Sequence, residues 1–296
     1  MKTSAKIFSA VLVVVVAIAA VIFFVFFTSA EAYYKKGEKC FNNDNYSEAA
    51  KYYYKAITKY RKAANNGDID ALFKVNELNH KLLITLDKIK NSVGLFKKLA
   101  EKGDPDAQYS LGHIYELGKG VEQDYTEAFK WYSKSAEQGN ALAEYSLGTM
   151  YEFGKGVKRN YTEAVKWYQK SAEKGDPDAQ YFLGDMYKSG KGTKMNHAEA
   201  FKWYKKSAEQ GHSFAQCSLG TMYRYGESVE RNYTEAFKWY SKSAEQGNAD
   251  AQCFLGDMYK YGMGVDKNAR KAIEWYQKSA KQGNTLAIQA LESLER

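Results

Sequence analysis

The sequence predicts an all-α chain, an α-solenoid of stacked helix pairs preceded by one transmembrane helix. Three observations predict it. All five tryptophans, Trp131, Trp167, Trp203, Trp239 and Trp275, stand 36 residues apart, and a fixed period of that size is the mark of a helical-repeat architecture. Within each period, residues that start and stop helices recur at two places. Ahead of the repeats, residues 7–27 form an uncharged apolar run broken only by Ser9.

That run is the first element. As a helix rising 1.5 Å per residue, it reaches about 30 Å, the thickness of a bilayer's hydrocarbon core. Lys2 and Lys6 precede it, which favours a cytoplasmic N-terminus and a body on the far side of the membrane. The alternative is a cleaved signal segment, with Ala30-Glu31-Ala32 as the small-x-small site. The apolar core of such a segment is usually about 7–15 residues, shorter than this one. Residues 1–30 are therefore expected to be an anchor or signal, and the body exported, single-pass if anchored and secreted or periplasmic if cut near Ala32.

Next come residues 31–66, read as one helix pair, in which NYSEAAKYYYKA from Asn45 to Ala56 mirrors DYTEAFKWYSKSA from Asp124 to Ala136. Residues 67–102 read as a worn copy of the repeat. GDIDALF at Gly67 resembles GDPDAQY at Gly103, and LFKKLAEK at Leu95 resembles WYSKSAEQ at Trp131, but the turn glycines are missing. Five full units fill residues 103–282, beginning at Gly103, Gly139, Gly175, Gly211 and Gly247. Residues 283–296 keep Ala287 and Leu291 on the buried spacing and finish polar, as a capping helix should.

Each unit reads as two helices. Asp104 is a good N-cap, and Pro105 at the first helical position loses no hydrogen bond there. Ala107, Leu111 and Tyr115 share one helical face. Gly118 ends the helix, since glycine takes up the left-handed conformation cheaply. The second helix opens with capping-box pairs, Asp124 and Glu127, Asn160 and Glu163, Asn196 and Glu199, Asn232 and Glu235. In the fifth unit Asn268 is followed by Lys271, which breaks the pattern. Ala128, Trp131, Tyr132 and Ala136 supply its buried face, while the recurrent Ser and Lys of Ser133-Lys134-Ser135 are expected to face solvent. Gly112, Gly148, Gly184, Gly220 and Gly256 sit inside the first helices, where glycine costs about 0.5–1 kcal/mol. Their recurrence predicts close approach by another helix.

Composition excludes several classes. Three cysteines in 296 residues cannot form a disulfide framework. The formal charge of +8 lies wholly in residues 1–102, and the repeats are neutral, so the charge is not that of a nucleic-acid binder.

The pattern A-x-x-x-L-G-x-x-Y-x-x-G-x-G followed by A-x-x-W-Y-x-x-A resembles the Sel1-like repeat, a relative of the tetratricopeptide repeat. The resemblance covers residues 103–282 closely, 67–102 weakly and 283–296 in part. Residues 33–57 look more like a tetratricopeptide pair. It implies a right-handed superhelix and a non-enzymatic adaptor or scaffold that binds a protein or peptide partner. One cysteine-rich branch of the family is linked with β-lactamase activity, but it pairs cysteines within repeats. Here Cys217 and Cys253 occupy one slot in successive units and read as small groove or core residues, with Cys40 a free thiol.

Chemistry-bearing motifs are few. The turns Gly118-Lys119-Gly120, Gly154-Lys155-Gly156 and Gly190-Lys191-Gly192 lack the rest of a phosphate loop and read as connectors. His80, His113, His197 and His212 fall in four different repeat slots, and neither H-E-x-x-H nor C-x-x-C occurs. No cofactor, metal or nucleic acid is expected. Asn45, Asn160 and Asn232 head glycosylation-type triplets, and the last two of these are N-caps built into the repeat.

In related solenoids the first helices line a concave face. Carried over residue by residue, the groove positions are Asp106, Tyr109, His113, Glu116 and Leu117, then Leu142, Tyr145, Thr149, Glu152 and Phe153, then Asp178, Tyr181, Asp185, Lys188 and Ser189. They continue with Phe214, Cys217, Thr221, Arg224 and Tyr225, and with Asp250, Cys253, Asp257, Lys260 and Tyr261. One column changes sign, from Glu116 and Glu152 to Lys188, Arg224 and Lys260, beside the aromatics Phe153, Tyr225 and Tyr261. Apolar groups bracketed by exposed, oriented charge suit an extended peptide or partner helix. A carbohydrate or peptidoglycan-fragment binder using exposed tyrosines as platforms is the alternative.

Overall fold

The computed structural model describes residues 29–43, 46–64, 68–87, 92–119 and 121–294. The apolar run of residues 7–27 lies outside them. Among the described residues no helix is long and apolar enough to cross a membrane, and every regular element is helical. The chain divides into two compact units, Met1–Asp124 and Tyr125–Arg296.

The first unit holds α1 (29–42), α2 (Tyr46–Ala64), α3 (Ile69–Asp87), α4 (Ser92–Glu101) and α5 (Pro105–Leu117). Ala30-Glu31-Ala32 lies inside α1, where Ala30 is buried and Glu31 accepts a 2.7 Å hydrogen bond from the Tyr60 hydroxyl. Half-buried Arg61 of α2 pairs with buried Asp106 of α5, so Asp106 is not the open groove position its spacing suggests. The shared cause is depth: burial also holds the Arg61 guanidinium down at about 10.

The second unit alternates two kinds of helix. Second helices are α6 (Tyr125–Glu137), α8 (Tyr161–Glu173), α10 (His197–Glu209), α12 (Tyr233–Glu245) and α14 (Ala269–Ala280). First helices are α7 (Ala141–Phe153), α9 (Pro177–Ser189), α11 (Ser213–Tyr225), α13 (Ala249–Tyr261) and α15 (Thr285–Glu292). Asn140, Asp176, His212, Asn248 and Asn284 cap the first helices, each accepting from the backbone N–H three residues on. Gly154, Gly190, Gly226 and Gly262 end the first four in the left-handed conformation, as their spacing predicts.

At the second helices the capping boxes are only half formed. Asn160, Asn196 and Asn232 do accept from the N–H groups two and three residues on. However, their own N–H groups donate to Tyr151, Tyr187 and Tyr223 of the preceding first helix, at 2.8–2.9 Å. The glutamates therefore turn outward to Lys166, Lys202 and Lys238. Asn268 keeps both bonds without any glutamate, which shows that the box was never required.

The expected close approach is made by tyrosine. A Cβ built on Gly184 would lie 2.7 Å from the Tyr204 ring, and those on Gly148, Gly220 and Gly256 would meet Tyr168, Tyr240 and Tyr276 in the same way. These tyrosines are fully buried, deeper than the tryptophans beside them. The same contact joins Gly37 of α1 to Tyr53 of α2. Glu292 stands in this column in α15, so a tyrosine-bearing helix cannot seat there as it does on the preceding four.

Serine supplies a correction. Ser135, Ser171, Ser207, Ser243 and Ser279 are completely buried rather than solvent-facing. Ser171, Ser207, Ser243 and Ser279 donate to the first-turn carbonyls of Ala141, Pro177, Ser213 and Ala249, at 2.6–2.8 Å. The gain is a partner for a carbonyl and a small side chain at a tight helix crossing.

Glutamines stitch one pair to the next. Gln180, Gln216 and Gln252 donate to Ala172, Ala208 and Ala244 of the preceding second helix and accept from Gln210, Gln246 and Gln282 of their own. In the first such place Glu144 and Lys174 replace the glutamines, paired at 2.7 Å with Glu144 only 3% exposed. Carboxylate cannot donate, so one link of the ladder is traded for an ion pair.

Trp203 packs into a core cluster with Val165. The glycine-lysine-glycine turns are connectors, as expected. Gly156, Gly192 and Gly264 have positive φ, and a Cβ on any of them would strike the start of the preceding second helix. Ser228 holds that place in the fourth unit at φ 58°.

Two outcomes follow. Gly184→Ala should lose about 1–2 kcal/mol, overpacking against Tyr204 outweighing the better helix propensity, read as a lower urea midpoint. Asp176 is 6% exposed, and burial pushes its carboxyl up to about 7 against the Ala179 N–H that favours the anion. The folded chain thus holds a proton that the unfolded chain releases near 3.8, the ordinary value for aspartate. Stability falls as pH rises between those two values. Asp176→Asn, the residue present at Asn140, should flatten that fall, and urea midpoints measured from acid to neutral pH check it.

Candidate functional site

The first-helix face is built from behind by the buried tyrosines. Passing the glycines, their hydroxyls reach groove residues: Tyr168 donates to Glu152 at 2.8 Å, Tyr276 to Asp257 at 2.7 Å and Tyr204 to Asp185, while Tyr240 and Thr221 share a 3.0 Å bond. Burial pushes the pKa of all four hydroxyls up, so they remain donors. Burial also raises the Glu152 carboxyl, only partly offset by the Tyr168 bond.

Tyr109, His113 and Glu116 lie on α5 in the first unit. The two rings stack at 6.2 Å and His113 Nδ1 is 3.7 Å from Glu116. In the second unit Tyr145 packs between Tyr168 and Phe182, at 5.9 and 5.8 Å. Tyr181 stacks on His212 at 4.8 Å and tilts toward Phe214 at 6.1 Å. Both are half-buried walls rather than free platforms. Phe153, Tyr225 and Tyr261 stand out, 59%, 61% and 61% exposed.

Charge behaves differently from expectation. Arg224 is a half-buried cation, its side chain 14% exposed and bonded to Asp257 at 3.2 Å. Its guanidinium also lies 5.5 Å from the Tyr225 ring and 5.7 Å from Phe254. Lys188 approaches Glu227 at 3.9 Å, and Lys260 lies 5.3 Å over Tyr261. The sign-changing column exists as positions, but Arg224 and Lys188 already have acidic neighbours one repeat on. A 36-residue spacing brings columns side by side, and so Arg224 meets Asp257 of the next column. Cys217 and Cys253 are buried, not exposed in the groove, and burial pushes their thiols up to about 12 and about 11.

Asp185, Thr221 and Asp257, three of the expected positions, share one column and take the tyrosine hydroxyls. Phe182 and Phe254, which the spacing did not mark, pack on Tyr168 and Tyr240. Among the described residues no group of three His, Cys, Asp or Glu side chains is placed to hold a metal ion. What the face offers is hydrogen-bonded acid, half-buried aromatic wall and three exposed rings.

Comparison with known proteins places these observations. The Sel1 repeat family model matches residues 30–59, 105–140, 141–176, 177–212, 213–248 and 249–284, so residues 30–59, nearest a tetratricopeptide pair by pattern, match the Sel1 repeat itself. A Sel1 repeat protein from Oxalobacter formigenes is similar at 37% identity and TM-score 0.65, covering 70% of this chain and 86% of that one. So is c5321, a protective antigen of uropathogenic Escherichia coli with an SLR fold, at 35% identity and TM-score 0.67. That match covers 87% of this chain and 55% of the antigen. No curated protein matches the chain.

Because Arg224 is half-buried and paired, Arg224→Ala should lower stability by about 1.5–3 kcal/mol, the range of a hydrogen bond to a charged group. A double-mutant cycle with Asp257→Ala, followed by urea denaturation, should show coupling above about 0.5 kcal/mol.

Proposed function

The chain belongs to the Sel1-repeat family, and from that premise we propose that it is a membrane-anchored, non-catalytic scaffold whose first-helix groove holds a segment of another protein. The observation that carries this is the exposure of Phe153, Tyr225 and Tyr261 along one face, two of them with a cation at the ring. Large apolar groups rimmed by polar ones mark interaction surfaces on water-soluble bodies. Aromatic rings also bring much contact area at little entropic cost. The partner segment is bound chiefly by these rings, with Lys260 and the rim acids setting direction. Residues 7–27 hold the scaffold in the membrane with the repeats on the exported side. A similar protein being a protective antigen agrees with display outside the cytoplasm.

Photo-crosslinking residues placed at Tyr225 and Tyr261 of the full-length chain in its own cells should capture one protein partner. The same residue at Glu245, on a second helix, should not. Tyr225→Ala with Tyr261→Ala should weaken capture about tenfold or more. Identical adducts from groove and control positions would exclude the groove. Extraction of the chain by alkaline washing would exclude the anchor.

A further inference from the structure

The second helices hold an irregularity in the first unit, where the repeat has lost an indole. Trp131, Trp167, Trp203, Trp239 and Trp275 each carry the lysine three residues on over the ring, at 3.8–4.4 Å. In the worn copy Leu95 stands in the tryptophan column while Lys98 keeps the lysine column. The wall facing that column is also cut back. Val165 shares a core cluster with Trp203, and by the alignment of Asn45–Ala56 with Asp124–Ser135 the matching pair in the first unit is Ala50 and Leu95. Both members are smaller.

The consequence is a pocket of about 300 Å³ between α2 and α4, lined by Ala50, Tyr54, Leu95, Phe96 and Leu99 with Lys51 and Lys55 at the rim. That is the lower end of the range for ligand pockets. Its walls are apolar and its rim is cationic. Lys55 lies 5.7 and 5.8 Å from the Tyr33 and Tyr52 rings, so this side already gathers aromatic and cationic groups.

We propose that this pocket receives a tryptophan side chain presented by an acidic stretch of a partner polypeptide. The repeats themselves show the occupant, since in the five full units from Gly103 onward an indole fills this column with a lysine above it, and in α2 the aromatic Tyr52 stands there. Lys51, Lys55 and Lys98 supply the complementary charge for acidic flanks. This site is separate from the first-helix groove and stands whether or not that groove binds anything.

The test uses the full-length chain in lipid nanodiscs and a dye-labelled peptide, Asp-Glu-Trp-Glu-Asp, followed by anisotropy. The peptide should bind, and replacing its tryptophan with alanine or its acids with lysines should weaken binding at least about tenfold. Leu95→Trp, which rebuilds the indole, should abolish binding and raise the melting temperature. Lys51→Glu with Lys55→Glu, exposed groups paired with Glu48 and with the Tyr33 and Tyr52 rings, should weaken binding and lower melting only slightly, and decides the matter should Leu95→Trp fail to fold. Equal binding by wild type and Leu95→Trp, equal binding of the lysine-flanked peptide, or no binding at millimolar peptide would each overturn the proposal.

Discussion

One contact sets the spacing of each helix pair, a tyrosine ring lying where a glycine has no side chain. Tyr168 on Gly148, Tyr204 on Gly184, Tyr240 on Gly220 and Tyr276 on Gly256 leave no room for even a methyl group. Close approach lets the ring be fully buried, and its hydroxyl emerges on the far side of the first helix. There it meets Glu152, Asp185, Thr221 or Asp257. The glycine's helix-propensity cost is thus offset by burial of a large ring. The same act positions the polar floor of the groove.

Stacking rests on a second, polar device. A buried glutamine in α9, α11 and α13 donates to the previous pair and accepts from its own, and a buried serine ties the two helices of a pair at their ends. Such bonds are short-range, which is why stability in a solenoid is a sum of neighbour terms. The Glu144–Lys174 pair shows that the place tolerates a charged solution when both partners change together. A lone carboxylate there would be buried without a counter-charge.

Function follows from what the frame leaves uncommitted. Arg224 is bound to Asp257 and half-buried, so it belongs as much to the frame as to the surface. Phe153, Tyr225 and Tyr261 sit at helix ends beyond the tyrosine–glycine contact and stay more than half exposed. The proposed binding therefore rests on aromatic contact more than on steered charge. Outside the groove, the worn copy keeps the lysine of the outer face but drops its indole, and a cavity marks the loss.

The 36-residue period, the helix caps, the left-handed glycine ends and the need for close approach at Gly148 and its equivalents could all be read in the sequence. Each depends on a local preference or on repetition along one chain. Which side chain made the approach, the burial of Ser171 rather than its neighbours, and the pairing of Arg224 with Asp257 were decided only in three dimensions. Helical spacing states which residues share a face. It does not state what stands opposite, and a residue's exposure and charge state depend on that opposing surface. Periodicity therefore gives the pair and the stack, while the contact between repeats settles which residues of the first-helix face stay exposed.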